Sequence, residues 1–266
     1  MKRYPVYHTF AGSLADATSK VDLAATYGKV GSAVKIYGLD EMNMILREQG
    51  NAEAAAVKFF LNHAGADPGP TASTNEYQLV GTNGAEIEVT VTQNVRTCYP
   101  LQHVSGKWLL MEGKGASSTT ADLSAFLFSN QCLDRYGSRI QTSVLPILAT
   151  ATNLTGTYAD VGNFVDIAGL SHLTLYIYNT GDITADIQVY IDKRFLTSAS
   201  APTATTLFHR LAGTGGTATT FSTLTTERAA HPLAGASGTW LGIQAKGTGA
   251  GTATITAYLT GVAPGV

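Results

Sequence analysis

The sequence predicts an α+β N-terminal region followed by an all-β C-terminal β-sandwich or jelly roll. Apolar residues follow helical spacing over 38–65, whereas they alternate strictly with polar residues beyond about residue 150. The stretch 146–156 separates the two patterns and has the composition of a linker or crossover. We therefore divide the 266 residues into an N-terminal arm (1–38), an α+β domain (39–150) and a β-sandwich domain (151–266).

The opening segment, 1–38, mixes aromatic side chains with glycines and carries only short strand signals. This composition is typical of an extended arm that packs on a neighbouring subunit, although an ordinary first strand has it too. The residues expected to make such contacts are Tyr4, Tyr7 and Phe10. The first twenty residues lack the apolar core of a signal peptide, so none is predicted.

The segment 38–65 has the clearest helical pattern. Asp40 suits an N-cap, and Gly65 suits a C-terminal cap before a stretch that contains proline. Four residues of the first half follow the i, i+3, i+4, i+7 spacing of a helix face: Met42, Ile45, Leu46 and Gln49. After a break at Gly50-Asn51, the second half places three apolar residues on one face: Ala56, Phe59 and Phe60.

Strand signals follow in the same domain. Residues 85–97 alternate, with Val89 and Val91 on one side, and 107–113 is the candidate partner strand. Residues 120–143 then predict a helix or a helix plus a turn, capped by Thr120 or Asp122. The apolar faces of that helix would carry Leu123, Phe126, Leu127 and Cys132.

Two hairpins dominate the predicted sandwich. Residues 171–193 alternate on both sides of Asn179-Thr180-Gly181-Asp182, which has the composition of a hairpin turn. Residues 240–260 alternate on both sides of the Gly-rich 247–251, with a row of threonines on the outer face. Together with 158–169, 203–211 and 220–229, these segments predict about seven strands.

The composition excludes several functions. Charged residues make up 14% of the chain, against about 25% in a typical globular protein, and the formal net charge is −2. Without a Lys/Arg cluster, nucleic-acid binding is not expected. No run of about 18 apolar residues predicts a membrane span. Cys98 and Cys132 are interpreted as two buried thiols, with a disulfide left open.

Catalytic and metal-binding motifs are missing as well, so we expect neither an enzyme nor a cofactor or metal. No two of the six histidines lie within four residues of each other, and no G-x-S-x-G elbow is present. His172 on a strand and His231 in a loop are interpreted as surface residues. Asp160 and Asp166 are the best remaining candidates for a glycosidase, and an Asp-rich loop could bind calcium.

Aromatic residues in the sandwich allow a further alternative. Tyr176, Tyr178 and Tyr190 would share the outer face of the first hairpin, with Trp240 nearby. Such rings could form the platform of a carbohydrate-binding module, or they could be buried against the N-terminal domain or another subunit. We favour burial, because an open aromatic patch of that size is unusual on a monomer.

Two stretches resemble the β-sandwich domains of tailed-bacteriophage virion proteins, most of all the capsid decoration (cement) and head-fibre group. They are "YADVGNFVDIAGLSHLTLYIYNTG" (158–181) and "TWLGIQAKGTGAGTATITAYLTG" (239–261), and the resemblance covers roughly 155–262. "VKIYGLDEMNMILREQG" (34–50) also resembles phage neck and tail-completion proteins, but the segments after Gly65 do not follow that pattern.

The resemblance implies a virion structural protein on the capsid surface, assembled in the host cytoplasm. Such proteins often bind the major capsid protein as trimers, through surface area and strand addition, and they add no chemistry. Contacts with the capsid lattice would then be made by Tyr4, Tyr7 and Phe10. Contacts between subunits of the trimer would be made by Tyr176, Tyr178, Tyr190 and Trp240. A neck, tail or fibre-base position and a carbohydrate-binding module remain the alternatives.

Overall fold

Within the residues that the structure describes, the regular secondary structure is nearly all β-strand, so the predicted α+β N-terminal region is wrong. A computed structural model contains twenty strands and no α-helix in the residues it describes. Those residues are 2–12, 20–49, 54–63, 76–81, 83–115, 121–133, 141–192, 204–205, 208–212 and 217–263. The chain divides into two compact units: unit 1 is Met1–Leu79, Glu86–Gln141 and Pro264–Val266, and unit 2 is Val80–Ala85 and Thr142–Ala263.

Unit 1 consists of two groups of paired strands. Its strands are β1 (Lys2–Ala11), β2 (Val21–Leu23), β3 (Gly28–Lys29), β4 (Val34–Lys35), β5 (Leu39–Glu48), β6 (Ala55–Asn62), β7 (Tyr77–Leu79), β8 (Glu88–Val91), β9 (Arg96–Leu101), β10 (Trp108–Gly115) and β11 (Ala121–Leu133). The first sheet has the order β1-β11-β5-β9, with β2 also paired to β11. In the second group β7, β6, β10 and β3 follow one another, with β8 on β6 and β4 on β10. The rings of Phe59 in β6 and Tyr99 in β9 stack at 5.8 Å between the two layers.

Alternating burial explains why 39–48 is a strand and not the predicted helix. Met42, Met44 and Leu46 are buried, while Ile45 between them is 36% exposed. Helical spacing would have placed Ile45 and Leu46 on the same buried face. The strand is favoured because β11 and β9 hydrogen-bond to β5 along both edges, which satisfies its backbone without a helix.

The other N-terminal predictions have mixed outcomes. Residues 120–143, predicted as helical, supply β11. The strand predicted over 85–97 is confirmed only in its centre, as β8 with Val89 and Val91 buried, while Arg96 and Thr97 belong to β9. The 107–113 segment is also a strand, but β6 pairs with both β8 and β10 and lies between them. The predicted breaks and caps at Gly50-Asn51, Gly65 and Thr120 lie outside the described residues.

Unit 2 is built from two sheets around one apolar core. Its strands are β12 (Gln141–Asn153), β13 (Ala159–Asp166), β14 (Ser171–Asn179), β15 (Ala185–Asp192), β16 (His209–Arg210), β17 (Phe221–Thr223), β18 (Arg228–Pro232), β19 (Trp240–Gly247) and β20 (Thr254–Ala263). One sheet contains β12-β20-β14-β18 and the other β13-β19-β15-β16, with β17 also on β15. Most of the predicted linker 146–156 is therefore strand β12. The core between the sheets includes Leu175, Ile187, Ile243 and Ile255.

Both predicted hairpins are wrong, because each pair of strands is divided between the two sheets. β14 pairs with β20, and β15 pairs with β19, so neither turn joins hydrogen-bonded neighbours. We call residues 180–184 and 248–253 the paired arches, since each carries the chain from one sheet to the other. The arches hydrogen-bond to each other and to strand ends: Thr180 N to Thr254 O at 2.8 Å, Asp182 N to Thr252 O at 3.0 Å and Thr248 N to Thr184 O at 2.9 Å.

A buried asparagine fixes the first arch. The side chain of Asn179 is fully buried, and its Nδ2 donates to the carbonyl oxygens of Ile183 (2.8 Å), Leu224 (3.1 Å) and Thr223 (3.3 Å). Its Oδ1 accepts from the backbone N–H groups of Gly181 (3.0 Å) and Thr254 (3.3 Å). One amide thus bonds to backbone groups of the first arch, of the first residue of β20, and of the end of β17 with the residue after it.

Three strands at sheet edges each contain a proline. Pro5 lies in β1, Pro100 in β9 and Pro146 in β12, and each of these strands ends the order of its sheet. Proline has no backbone N–H, so in sheets it is tolerated at edges where that group would face away from the partner strand. Each of these edge strands therefore has one backbone N–H fewer than a strand of the same length without proline.

The Asn179 network predicts a large stability loss on truncation. Asn179→Ala should lower the free energy of unfolding by about 2–4 kcal/mol, because it leaves buried backbone groups without partners. Urea denaturation followed by far-UV circular dichroism measures this.

The matched control is Asn153→Ala. Asn153 is exposed and accepts a hydrogen bond from Thr254 Oγ1 at 2.7 Å, so its loss should cost within about 0.5 kcal/mol. Equal losses for the two variants would contradict the role assigned to Asn179.

Candidate interaction surface

The outer side of the first sheet of unit 1 carries two rows of aligned side chains. Strand register places them as direct cross-strand neighbours, and neighbours two residues apart on one strand share a face. The first row is Tyr7, Phe128, Asn43 and Pro100, and the second is Thr9, Phe126, Ile45 and Cys98. We call these eight residues the aromatic face.

The aromatic face is accessible and uncharged. Tyr7 is 55% and Ile45 36% exposed, and the rings of Tyr7 and Phe128 contact at 5.0 Å with a 54° tilt. Cys98 is an exposed free thiol, so the interpretation of this cysteine as buried is wrong. Arg47 and Arg96 are cross-strand partners, and each lies two residues along its strand from a member of the second row. The face thus has an apolar centre and a cationic rim.

The sequence prediction found only part of this surface. Tyr7 lies on the aromatic face, whereas Phe10 is buried within unit 1. Tyr4 belongs to β1, and its side chain lies outside the described residues. Phe126 and Ile45 were missed because the predicted helices put them on apolar helix faces, and Phe128 was not singled out at all. The period-2 alternation of Leu123, Ala125 and Leu127 was the signal that could have exposed them.

The structure separates the four rings predicted on one face of the sandwich. Tyr176 is fully buried, and Tyr178 is half-buried with the Arg228 guanidinium 3.6 Å from its ring centroid. Tyr190 and Trp240 are on the other sheet, as diagonal neighbours on its outer side. Because β14 and β15 lie in different sheets, a shared platform of all four rings does not form.

On the outer side of the β13-β19-β15-β16 sheet, Asp160 is the centre of a hydrogen-bond network. Its Oδ1 accepts from Thr205 Oγ1 at 2.6 Å and Gln244 Nε2 at 3.0 Å, and its Oδ2 from Thr205 N at 3.2 Å. Burial raises the pKa of Asp160, but these hydrogen bonds outweigh it and the net pKa is lowered. Asp166, the other carboxylate proposed for catalysis, accepts from Ala168 N at 2.9 Å. Each of the two carboxylates thus accepts a hydrogen bond from a backbone N–H group, that of Thr205 for Asp160 and that of Ala168 for Asp166.

Both histidines interpreted as surface residues occupy unusual positions. His231 lies in β18, fully buried, with Nε2 3.2 Å from Thr223 Oγ1, so its assignment to a surface loop is wrong. Desolvation lowers its pKa to about 4, against a smaller opposing contribution from the Gly81 backbone. His172 has a φ of 49° where the register of β14 shifts.

Among the residues that the structure describes, no three His, Cys, Asp or Glu side chains are grouped so that they could hold a metal ion. The same part of the chain contains no helix with the length and apolarity needed to cross a membrane.

Comparison with known proteins finds similar solved structures, of low similarity to this chain. No family model and no curated protein matches the chain. One similar solved structure is the PBSX exported protein XepA, at 12% identity and a TM-score of 0.30, covering 97% of this chain and 86% of that one. Another is the structure of infectious bursal disease virus, Gx strain, at 11% identity and a TM-score of 0.24, covering 99% and 71%. Scores this low support no argument about fold or role.

The buried histidine predicts a specific pH dependence of stability. Between pH 6.5 and 4 the unfolded chain binds a proton at residue 231 that the native state does not, so stability falls as the pH is lowered. The stability difference between the native sequence and His231→Gln should therefore change by up to about 3 kcal/mol between pH 7 and 4.

Urea denaturation at several pH values measures this difference. His209→Gln, which changes an exposed histidine, should follow the native pH profile. Parallel profiles for the native protein and His231→Gln would show that the pKa of His231 is the same in the folded and unfolded states, which would contradict its desolvation.

Proposed function

We propose that this protein is a virion structural protein that decorates a phage capsid and binds the major capsid protein through the aromatic face. The observation that carries the proposal is that face: a rigid, uncharged, partly exposed sheet surface centred on Tyr7 and Phe128. Exposed aromatic residues on a fixed scaffold supply contact area at little entropic cost, and aromatic residues are enriched at protein interfaces.

The edge strands also favour binding through a sheet face over binding by strand addition. Three of the strands that end a sheet, β1, β9 and β12, contain a proline, which has no backbone N–H to offer in strand addition. Arg47 and Arg96 on the rim of the aromatic face favour a partner surface with an apolar centre and carboxylates at one side.

Low charge suits a partner present in many copies. Only 14% of the residues are charged, so binding through the aromatic face depends mainly on apolar burial and changes little with salt. Each site can then be individually weak, because a subunit that contacts several lattice positions gains from multivalency. Trimers at three-fold positions would provide such multiple contacts, with Tyr190 and Trp240 on the outer side of unit 2 as subunit contacts.

Cosedimentation tests the capsid contact. Empty heads assembled from the major capsid protein encoded in the same genome should bind the native chain at low and high salt. Tyr7→Ser and Ile45→Thr should each weaken binding at least about tenfold, since truncating an interface anchor costs more than about 1.4 kcal/mol.

Leu224→Ser is the control, because Leu224 is 48% exposed but belongs to unit 2, whereas the aromatic face belongs to unit 1. A genome without a capsid gene, or native-like binding by both face variants, would overturn the proposal. Binding to neck, tail or fibre-base proteins in place of heads would move the protein to that position in the virion.

Light scattering tests the oligomeric state. We expect a native mass of three times 27.8 kDa that stays constant as salt is raised, because the proposed contacts are apolar. A monomer at all salt concentrations would contradict a preformed trimer, and a mass that falls with salt would contradict an apolar contact between subunits.

A further inference from the structure

A small pocket in unit 1 brings together two lysines and two aromatic rings. Trp108 at the start of β10 is the register partner of Lys35 in β4, and Ile36 N donates to Lys107 O at 3.0 Å. Tyr37 follows two residues after Lys35. The side chains of Lys35, Tyr37, Lys107 and Trp108 line a pocket of about 180 Å³.

The charge of this pocket is unbalanced. Other lysines of unit 1 have acidic partners: Lys29 pairs with Glu76 at 2.6 Å, Lys58 with Glu86 and Lys20 with Asp122. No ion pair joins Lys35 or Lys107 to a carboxylate within the described ranges of the chain, and no acidic residue lines the pocket. Two lysines therefore line a small concave surface, and no carboxylate of the described residues is among the side chains that line it.

The two rings define the shape of what can bind. Tyr37 and Trp108 are half-buried, so each ring is fixed by its surroundings while part of it stays open to solvent. The Lys35 ammonium lies 5.9 Å from the centroid of the Tyr37 ring. A flat apolar wall beside two cations suits a ring with an apolar C–H face and an anionic substituent.

We propose that this pocket binds an acidic sugar, a carboxylated pyranose at the end of or within a glycan. One face of a pyranose ring presents C–H groups that pack on Trp108, and its carboxylate accepts hydrogen bonds from Lys35 and Lys107. The pocket is smaller than the roughly 300–1,000 Å³ of drug-sized ligand sites, which limits it to about one ring. This site is separate from the aromatic face, and the inference does not rest on the proposed capsid function.

The same chemistry fits single-stranded nucleic acid less well. Stacking on aromatic rings is shared by both ligands, but a nucleic-acid strand needs a row of cations that tracks its phosphates. Here two lysines serve one small pocket on a chain of net charge −2. Nucleic-acid binding is therefore an outcome that the experiment must separate from sugar binding.

Tryptophan fluorescence provides the test. The chain has two tryptophans, so Trp240→Phe leaves Trp108 as the sole reporter. Glucuronate should change its emission saturably in the millimolar range, and glucose should bind at least about tenfold more weakly, since the charge-assisted hydrogen bonds are missing. Lys35→Gln and Lys107→Gln should each weaken glucuronate binding by about tenfold.

Lys246→Gln is the matched control. Lys246 stands 4.8 Å from the Tyr158 ring centroid, a similar lysine–tyrosine contact in unit 2, and its change should leave glucuronate binding unaltered. Ligand-observed NMR on the native chain repeats the titration should Trp240→Phe fail to fold.

Three results would overturn the proposal. No saturable response to glucuronate by either method would exclude the site. Equal affinity for inorganic phosphate and glucuronate would show an anion site without ring recognition. Tighter binding of a short single-stranded oligonucleotide, with the same dependence on both lysines, would assign the pocket to nucleic acid.

Discussion

The two-sheet arrangement of unit 2 depends on how its corners are hydrogen-bonded. A chain that passes from one sheet to the other leaves the ladder and exposes backbone donors and acceptors inside the core. The paired arches provide partners for these groups by hydrogen-bonding to each other. The buried Asn179 amide bonds to further backbone groups of the first arch, the carbonyl of Ile183 and the N–H of Gly181. With the corners fixed, Leu175 and Ile187 face each other across the core although only a short turn separates their strands.

The sequence alone could predict strands more easily than their partners. Alternation located β8, β14, β15, β19 and β20, because it follows from one buried side of each strand. It could not distinguish a hairpin from an arch, since Asn, Gly and Asp suit both turns and the pairing of β14 with β20 is set by distant contacts. The helix predictions failed for a related reason: a strand with occasional apolar residues on its outer side, such as Ile45, also matches helical spacing.

The aromatic face follows from that same ambiguity. Phe126 and Phe128 look like core residues in the sequence, but the inner side of β11 is already occupied by Leu123, Ala125 and Leu127. Their rings are therefore left on the outer side of the sheet, where Tyr7 and Ile45 join them by register. The Lys35–Trp108 pocket was equally hidden, since nothing in the sequence brings β4 beside β10.

The prolines in β1, β9 and β12 also bear on how the chain behaves when crowded. Cross-β growth needs an uninterrupted run of donors and acceptors on an exposed strand, so that each added chain presents the same template to the next. Pro5, Pro100 and Pro146 each remove a donor from such a run. Open-ended fibre formation is thus opposed at these three edge strands, one of which is the 13-residue β12.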